Sequence, residues 1–105
     1  MKFKIPKYLR PETQAWIRDV SKRNNFESHD FKLLEMSGET WDTWQKAREE
    51  LEANGGLTFK DRFGQIRPHP ALGVLRDSKI VFARLLRELG LDYEEPEDPR
   101  PPRLY

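Results

Sequence analysis

The chain has 105 residues, of which 36% are hydrophobic and 35% charged, with a formal net charge of +1 and no cysteine. That length supports one domain with a modest core, and the lack of cysteine excludes disulfides and thiolate metal sites. No apolar run reaches the ~18 residues of a membrane helix and no signal-type apolar stretch follows the basic start, so a cytoplasmic protein with no membrane partner is expected.

Residues 1–10 read as an extended basic arm. Pro6 opposes helix, and Lys2, Lys4, Lys7 and Arg10 stand with no acid among them. Pro11 suits a first helical position, where its missing N–H has no intrahelical partner. From there to Arg23, Trp16, Ile17 and Val20 form a narrow apolar stripe, which predicts a short helix ended by Asn24-Asn25. Ser28 or Asp30 can cap a second helix. In it Phe31, Leu34, Trp41, Trp44, Ala47 and Leu51 keep three-to-four spacing up to Asn54. Gly38 interrupts that pattern at a cost of about 1 kcal/mol relative to alanine. It marks a kink, a close helix contact, or a break into two helices. Gly55-Gly56 stops the segment.

Leu57-Thr58-Phe59 and Ile66-Arg67 flank turn-forming residues, which predicts a small β-hairpin over about 57–67 with Arg62 near its tip. The last helix begins near Pro70 and ends at Gly90. Positions 71, 75, 78, 82, 85 and 89 step by four and three and hold Ala, Leu, Ser, Phe, Leu and Leu, a heptad-like seam. Leu72, Val74, Val81 and Leu86 widen the seam, so this helix packs on more than one side. From Glu94 onward, Pro96, Pro99, Pro101 and Pro102 oppose helix and central strand, which predicts an extended, disordered tail. The expected fold is mainly α: an arm over 1–10, a helical domain over 11–92 with the hairpin before its long C-terminal helix, and a Pro-rich tail over 93–105.

Charge alternates along this plan. The arm is wholly basic. Residues 28–54 carry seven acids against Lys32, Lys46 and Arg48, residues 55–90 seven bases against Asp61, Asp77 and Glu88, and residues 91–105 five acids against Arg100 and Arg103. Such blocks are either solvated faces or complementary surfaces for nucleic acid and neighbouring subunits. Catalytic constellations are scarce. His29 and His69 have no second histidine or cysteine at ligand spacing, so no metal is expected. His69 between two prolines reads as a structural cap or hydrogen-bonding group at a helix start. Glu49, Glu50 and Glu52 fall on an exposed helix side, and Gly55-Gly56 lacks the lysine of a phosphate loop. The tryptophans, at helical spacing, read as core or interface. No catalytic or cofactor-binding residue is assigned, and no enzyme activity is expected.

Several short motifs occur together. Trp41-Asp42 and Ala47-Arg48 lead to Gly55-Gly56. Thr58 to Gly64 follows with the form Thr-x-x-Asp-Arg-x-Gly. Then come His69-Pro70-Ala71-Leu72 and Asp77-Ser78, leading to Leu85 through Leu91. In this order, over roughly residues 30–92, the chain resembles the small subunit of tailed-bacteriophage terminases. It departs from many of them in having only a basic arm and one short helix before the matching region, where they carry a helix-turn-helix.

The resemblance implies a non-catalytic packaging adaptor. Such proteins form homo-oligomeric rings, bind viral double-stranded DNA at the packaging start, and present it to the large subunit, which holds the ATPase and nuclease, in the host cytoplasm. The expected DNA contacts are Lys2, Lys4, Lys7 and Arg10 on the arm, Lys22 and Arg23 at the first helix end, and Lys60, Arg62 and Arg67 around the hairpin. The arm residues are expected to be mobile with no acid nearby, and no segment has the composition of a base-reading helix. Trp41, Trp44, Leu75, Phe82, Leu85 and Leu89 are the expected oligomer contacts. Arg100, Arg103, Leu104 and Tyr105 are the expected large-subunit contacts. The competing reading is a small interaction module or regulator, of a phage or host complex, with no nucleic-acid role.

Overall fold

The computed structural model describes residues 3–91. It contains α1 (Pro11–Arg23), α2 (Ser28–Ala53), β1 (Thr58–Lys60), β2 (Ile66–Pro68) and α3 (Ala71–Glu88). The mainly helical expectation, with a hairpin before the last helix, holds. The tail from residue 92 and its expected contacts lie outside the described residues, as does Lys2.

The helix ends follow from local chemistry. Pro11 opens α1, and the Asn24 amide closes it by donating to the Val20 carbonyl at 2.9 Å. The start of α2 differs in detail from expectation. Ser28 is its first residue and Glu27 its N-cap. Asp30 caps from inside the first turn, accepting the Glu27 N–H at 3.0 Å. At the other end Gly55 takes φ +78. The Gly56 N–H then reaches the Leu51 carbonyl and the Gly55 N–H that of Glu52. This is the double hydrogen bond of a glycine-stopped helix. α3 ends the same way: Gly90 has φ +76, the Leu91 N–H bonds Leu86 and the Gly90 N–H bonds Arg87.

α2 and α3 form an antiparallel pair, and α1 lies across the first half of α2. One core cluster joins Leu9, Ile17, Val20, Leu34 and Leu89, and a second joins Ala47, Leu51 and Ala71 at the far end of the pair. Between them Trp41 stacks on Trp44 at 5.1 Å, and the Phe82 ring lies 5.3 Å from Trp41 and 6.0 Å from Trp16. The three helices therefore meet on aromatic rings, each contributing at least one.

α2 runs unbroken through Gly38, so of the three readings of that glycine the close contact is the one observed. A Cβ there would stand 2.8 Å from Ile17 Cδ1, 3.1 Å from Leu9 Cδ1 and 3.2 Å from Thr13 Cγ2. Glycine lets α1 and the N-terminal segment approach the α2 backbone, and this offsets its helix-propensity cost.

Residues 3–10 are non-helical, as Pro6 requires, but they are packed. Phe3 stacks on Phe31 with centroids 4.7 Å apart, Ile5 lies on the first core cluster, and Leu9 is 3% exposed. The segment is thus an apolar strap as well as a basic arm, a half of its character that the run of lysines conceals. Asp42 completes the docking. Its carboxylate accepts the Arg10 backbone N–H at 2.9 Å and the hydroxyl of buried Thr13.

Candidate functional site

The hairpin is built around Asp61. One carboxylate oxygen accepts the N–H groups of Phe63 at 2.8 Å and Gln65 at 3.0 Å, while the other accepts Arg67 Nε at 2.7 Å. The Asp61 carbonyl receives the Gly64 N–H, and Gly64 sits at φ +77. An aspartate starting an Asp-x-x-Gly turn makes such bonds because its short side chain reaches the N–H two residues on. The Arg67 guanidinium first, then the two N–H groups, hold the Asp61 carboxyl below the usual carboxylate range. The pairing register sets Phe59 opposite Arg67 and Lys60 opposite Ile66. Every residue of both strands is exposed, and neither strand packs broadly on a helix.

The hairpin joins the helices through His69. Its N–H donates to the Leu57 carbonyl at 2.8 Å, its Nδ1 accepts the Ala71 N–H at 3.0 Å, and its ring meets Phe59 edge-on. Accepting through Nδ1 places the neutral ring's proton on Nε2. Of the two roles expected for His69, the hydrogen-bonding group at the helix start is the one in place, and the N-cap residue itself is Pro70, already at helical dihedrals (φ −56, ψ −30).

The basic candidates do not form one patch in a single subunit. α1 runs antiparallel to α2, from Arg10 beside Asp42 back past Ile17 at Gly38. Lys22 and Arg23 therefore lie toward the start of α2, and Lys60, Arg62 and Arg67 beyond its end. A helix of 26 residues separates the two groups, about 39 Å at 1.5 Å per residue.

The candidates also differ in engagement. Arg10 makes a two-pronged pair with Glu49 at 2.7 and 2.8 Å, which corrects the expectation that the arm has no acid nearby. That hydrogen bond raises Arg10 and lowers Glu49 from their ordinary pKa values. Arg23 pairs with Asp19 and Arg67 with Asp61, both at 2.7 Å. Arg62 lies over the Phe63 ring. Lys4, Lys7, Lys22 and Lys60 are exposed, and none of them takes part in the ion pairs of the described residues. Arg18 joins this set from the structure alone. It is exposed one turn before Lys22, and the i, i+4 spacing on α1 is the sequence signal that points to it.

The expected oligomer residues are largely engaged inside the subunit. Leu85 and Leu89 are buried, Leu75 packs on the second core cluster, and Trp41, Trp44 and Phe82 make the aromatic junction. Among the described residues the exposed large apolar side chains are instead Leu57, Phe59, Phe63 and Ile66 on the hairpin, Val74, Ile80 and Val81 on α3, and Met36 on α2. Elsewhere Tyr8 donates its hydroxyl to Glu39 and Glu35, and the Glu39 bond first of all pushes its pKa up to about 12.

Among the described residues no group of histidines and acids is arranged to hold a metal ion, and no helix is long and apolar enough to cross a membrane. The family model described as phage terminase, small subunit, matches residues 14–96. No curated protein and no solved structure matches the chain.

Proposed function

Because the chain belongs to the phage terminase small-subunit family, and so has a role in phage DNA packaging, we propose that it is a non-catalytic adaptor that binds viral DNA at the packaging start and regulates the large ATPase and nuclease subunit as a homo-oligomeric ring. The family match over residues 14–96 carries this reading. The structure adds two supports. Exposed lysines free of ion pairs neutralise phosphates without breaking internal contacts. Apolar side chains left uncovered on the hairpin and α3 fit a chain whose surface is completed by other copies.

DNA binding is proposed to be electrostatic and largely indifferent to sequence within one subunit. The contacts are Lys2, Lys4, Lys7 and Arg10, Lys22 and Arg23, and Lys60, Arg62 and Arg67. Lys4, Lys7, Lys22 and Lys60 lead because Arg10, Arg23 and Arg67 are held by carboxylates. A few phosphate contacts per subunit bind weakly, and a ring that repeats them binds through avidity. The large subunit is proposed to engage Arg100, Arg103, Leu104 and Tyr105, whose composition suits capture as an extended peptide. This work takes place in the host cytoplasm.

A gel-shift series over rising salt tests the reading. Affinity should fall steeply with salt, and replacing Lys2, Lys4, Lys7 and Arg10 together by alanine should weaken binding and flatten the slope. Unchanged affinity and slope would remove the arm, and the same outcome for Lys60, Arg62 and Arg67 would remove the hairpin. An intact oligomer with no affinity for DNA at low salt would favour the interaction-module reading.

A further inference from the structure

The outward strand face of the hairpin carries Lys60 opposite Ile66, with Arg62 and Phe63 at the tip. Phe63 is 75% and Ile66 71% exposed, so these side chains gain almost nothing from burial within their own subunit. A cleft of opposite character, made of two adjoining depressions that share Thr43, runs between α2 and α3. The first is lined by Glu39, Asp77 and Val81, the second by Glu50, Lys46 and Val74. Val74 and Val81 are 45% and 44% exposed. Among the described residues Lys46 is the single base lining the two depressions, against three carboxylates, of which Asp77 also meets Arg76 at 3.4 Å and Glu39 also accepts the Tyr8 hydroxyl. No residue of its own hairpin lines the cleft.

We propose that the hairpin of one copy docks in the α2–α3 cleft of the next, with Phe63 and Ile66 covering Val74 and Val81 and with Lys60 and Arg62 among Glu39, Glu50 and Asp77. This rests on the proposed ring assembly and names the surfaces that build it. Apolar side chains at the hairpin tip match an apolar floor, and a basic tip matches an acidic rim, so attraction also fixes orientation. The chain's own tail is the wrong occupant. Residues 91–105 hold five acids against Arg100 and Arg103, and an acidic segment is repelled by an acidic rim. The two mating surfaces are different patches on the same molecule. Their contact is therefore heterologous, and repetition closes a ring or extends a filament. In this arrangement Lys60 and Arg62 pass from the DNA contacts proposed above to the subunit interface, and that set narrows to the arm, Lys22, Arg23 and Arg67.

Light scattering and gel shift on the full-length chain test this. Lys60→Glu with Arg62→Glu should abolish the assembled species, as should Glu50→Lys with Asp77→Lys. All four changes in one chain should restore it, with far-UV circular dichroism confirming unchanged helix content. The chain has no native cysteine, so a second measurement uses Phe63→Cys and Val81→Cys as separate proteins. Mixed with a short bismaleimide they should give a covalent dimer, and Phe63→Cys mixed with Arg18→Cys should not. A monomeric wild type would remove both this contact and the ring. A wild-type assembly that survives the Lys60/Arg62 reversal, or equal cross-linking to residues 81 and 18, would overturn this contact alone. A reversal that leaves assembly intact and abolishes DNA binding would likewise overturn it and return the hairpin to DNA. Assembly that forms only when the large subunit is added would give the cleft to that partner.

Discussion

Two carboxylates of similar appearance in the sequence do different work at the scale of single residues. Asp42 links the N-terminal segment and α1 to α2 by satisfying Arg10 N–H and Thr13 Oγ1. Asp42→Ala leaves both donors without that acceptor, at a cost of about 1–3 kcal/mol for unsatisfied groups. Urea unfolding should show it as a lower midpoint with an unchanged slope. Asp61 instead organises the exposed hairpin turn, and its carboxyl is held low by Arg67 and by backbone N–H groups. A folded value below the unfolded one means that the stabilisation is present above the ordinary carboxylate range and is lost as pH falls through the lowered value. Acidification should therefore release the hairpin amides of Phe63 and Gln65, seen as faster hydrogen exchange and collapsing shift dispersion, and Asp61→Asn should do so already at neutral pH. Glu49 is lowered by Arg10 in the same direction, so the arm contact weakens over the same acidic side. Gly38 is the third case. Gly38→Ala inserts a methyl 2.8 Å from Ile17 Cδ1, an overpacking expected to cost about 1–3 kcal/mol. A variant that melts at or above the wild-type temperature would show that the α1–α2 contact is looser than described.

The elements differ in how they are held. α2 and α3 share both a core cluster and the aromatic junction, and both end on glycine-stopped turns. The hairpin has its own ladder, the Asp61 bonds and the His69 link, with no broad helix contact. Local stability follows buried apolar contact, so hairpin amides should exchange well before those of Leu34 or Leu85. Equal protection would mean that the hairpin is covered, as docking in a neighbouring copy would do, and dilution should then remove the protection. His69 belongs to this scale because it joins two elements. His69→Ala should lower stability by about 1 kcal/mol, in the range of a lost helix cap, and leave DNA affinity of the folded protein unchanged. A variant that melts like the wild type yet fails in packaging would assign His69 a functional role instead.

Across the whole molecule, a thin core leaves large apolar side chains exposed on the hairpin, on α3 and, with Met36, on α2. Light scattering at tens of micromolar (roughly where weak assemblies form) should report an oligomer, and a monomer there would contradict the assembly reading. The residues from Glu94 onward are rich in proline and charge. Their deletion should leave the melting temperature nearly unchanged while lowering co-purification with the large subunit. The helix ends, the hairpin and the His69 hydrogen bond at the helix start were legible in the sequence, because each depends on residues within about five positions: Pro11 on α1, Gly55 and Gly90 on the stops, Asp61 on its own turn. What the tertiary structure decided is longer in range. It made Gly38 a contact point for α1, drew the apolar half of the arm into the core, and matched Arg10 to Glu49 across 39 positions. It also turned seam leucines inward while leaving Val74, Val81 and the hairpin uncovered. Periodicity marks a helix face as apolar but carries no record of which other face will cover it, since that depends on where the distant chain returns in space.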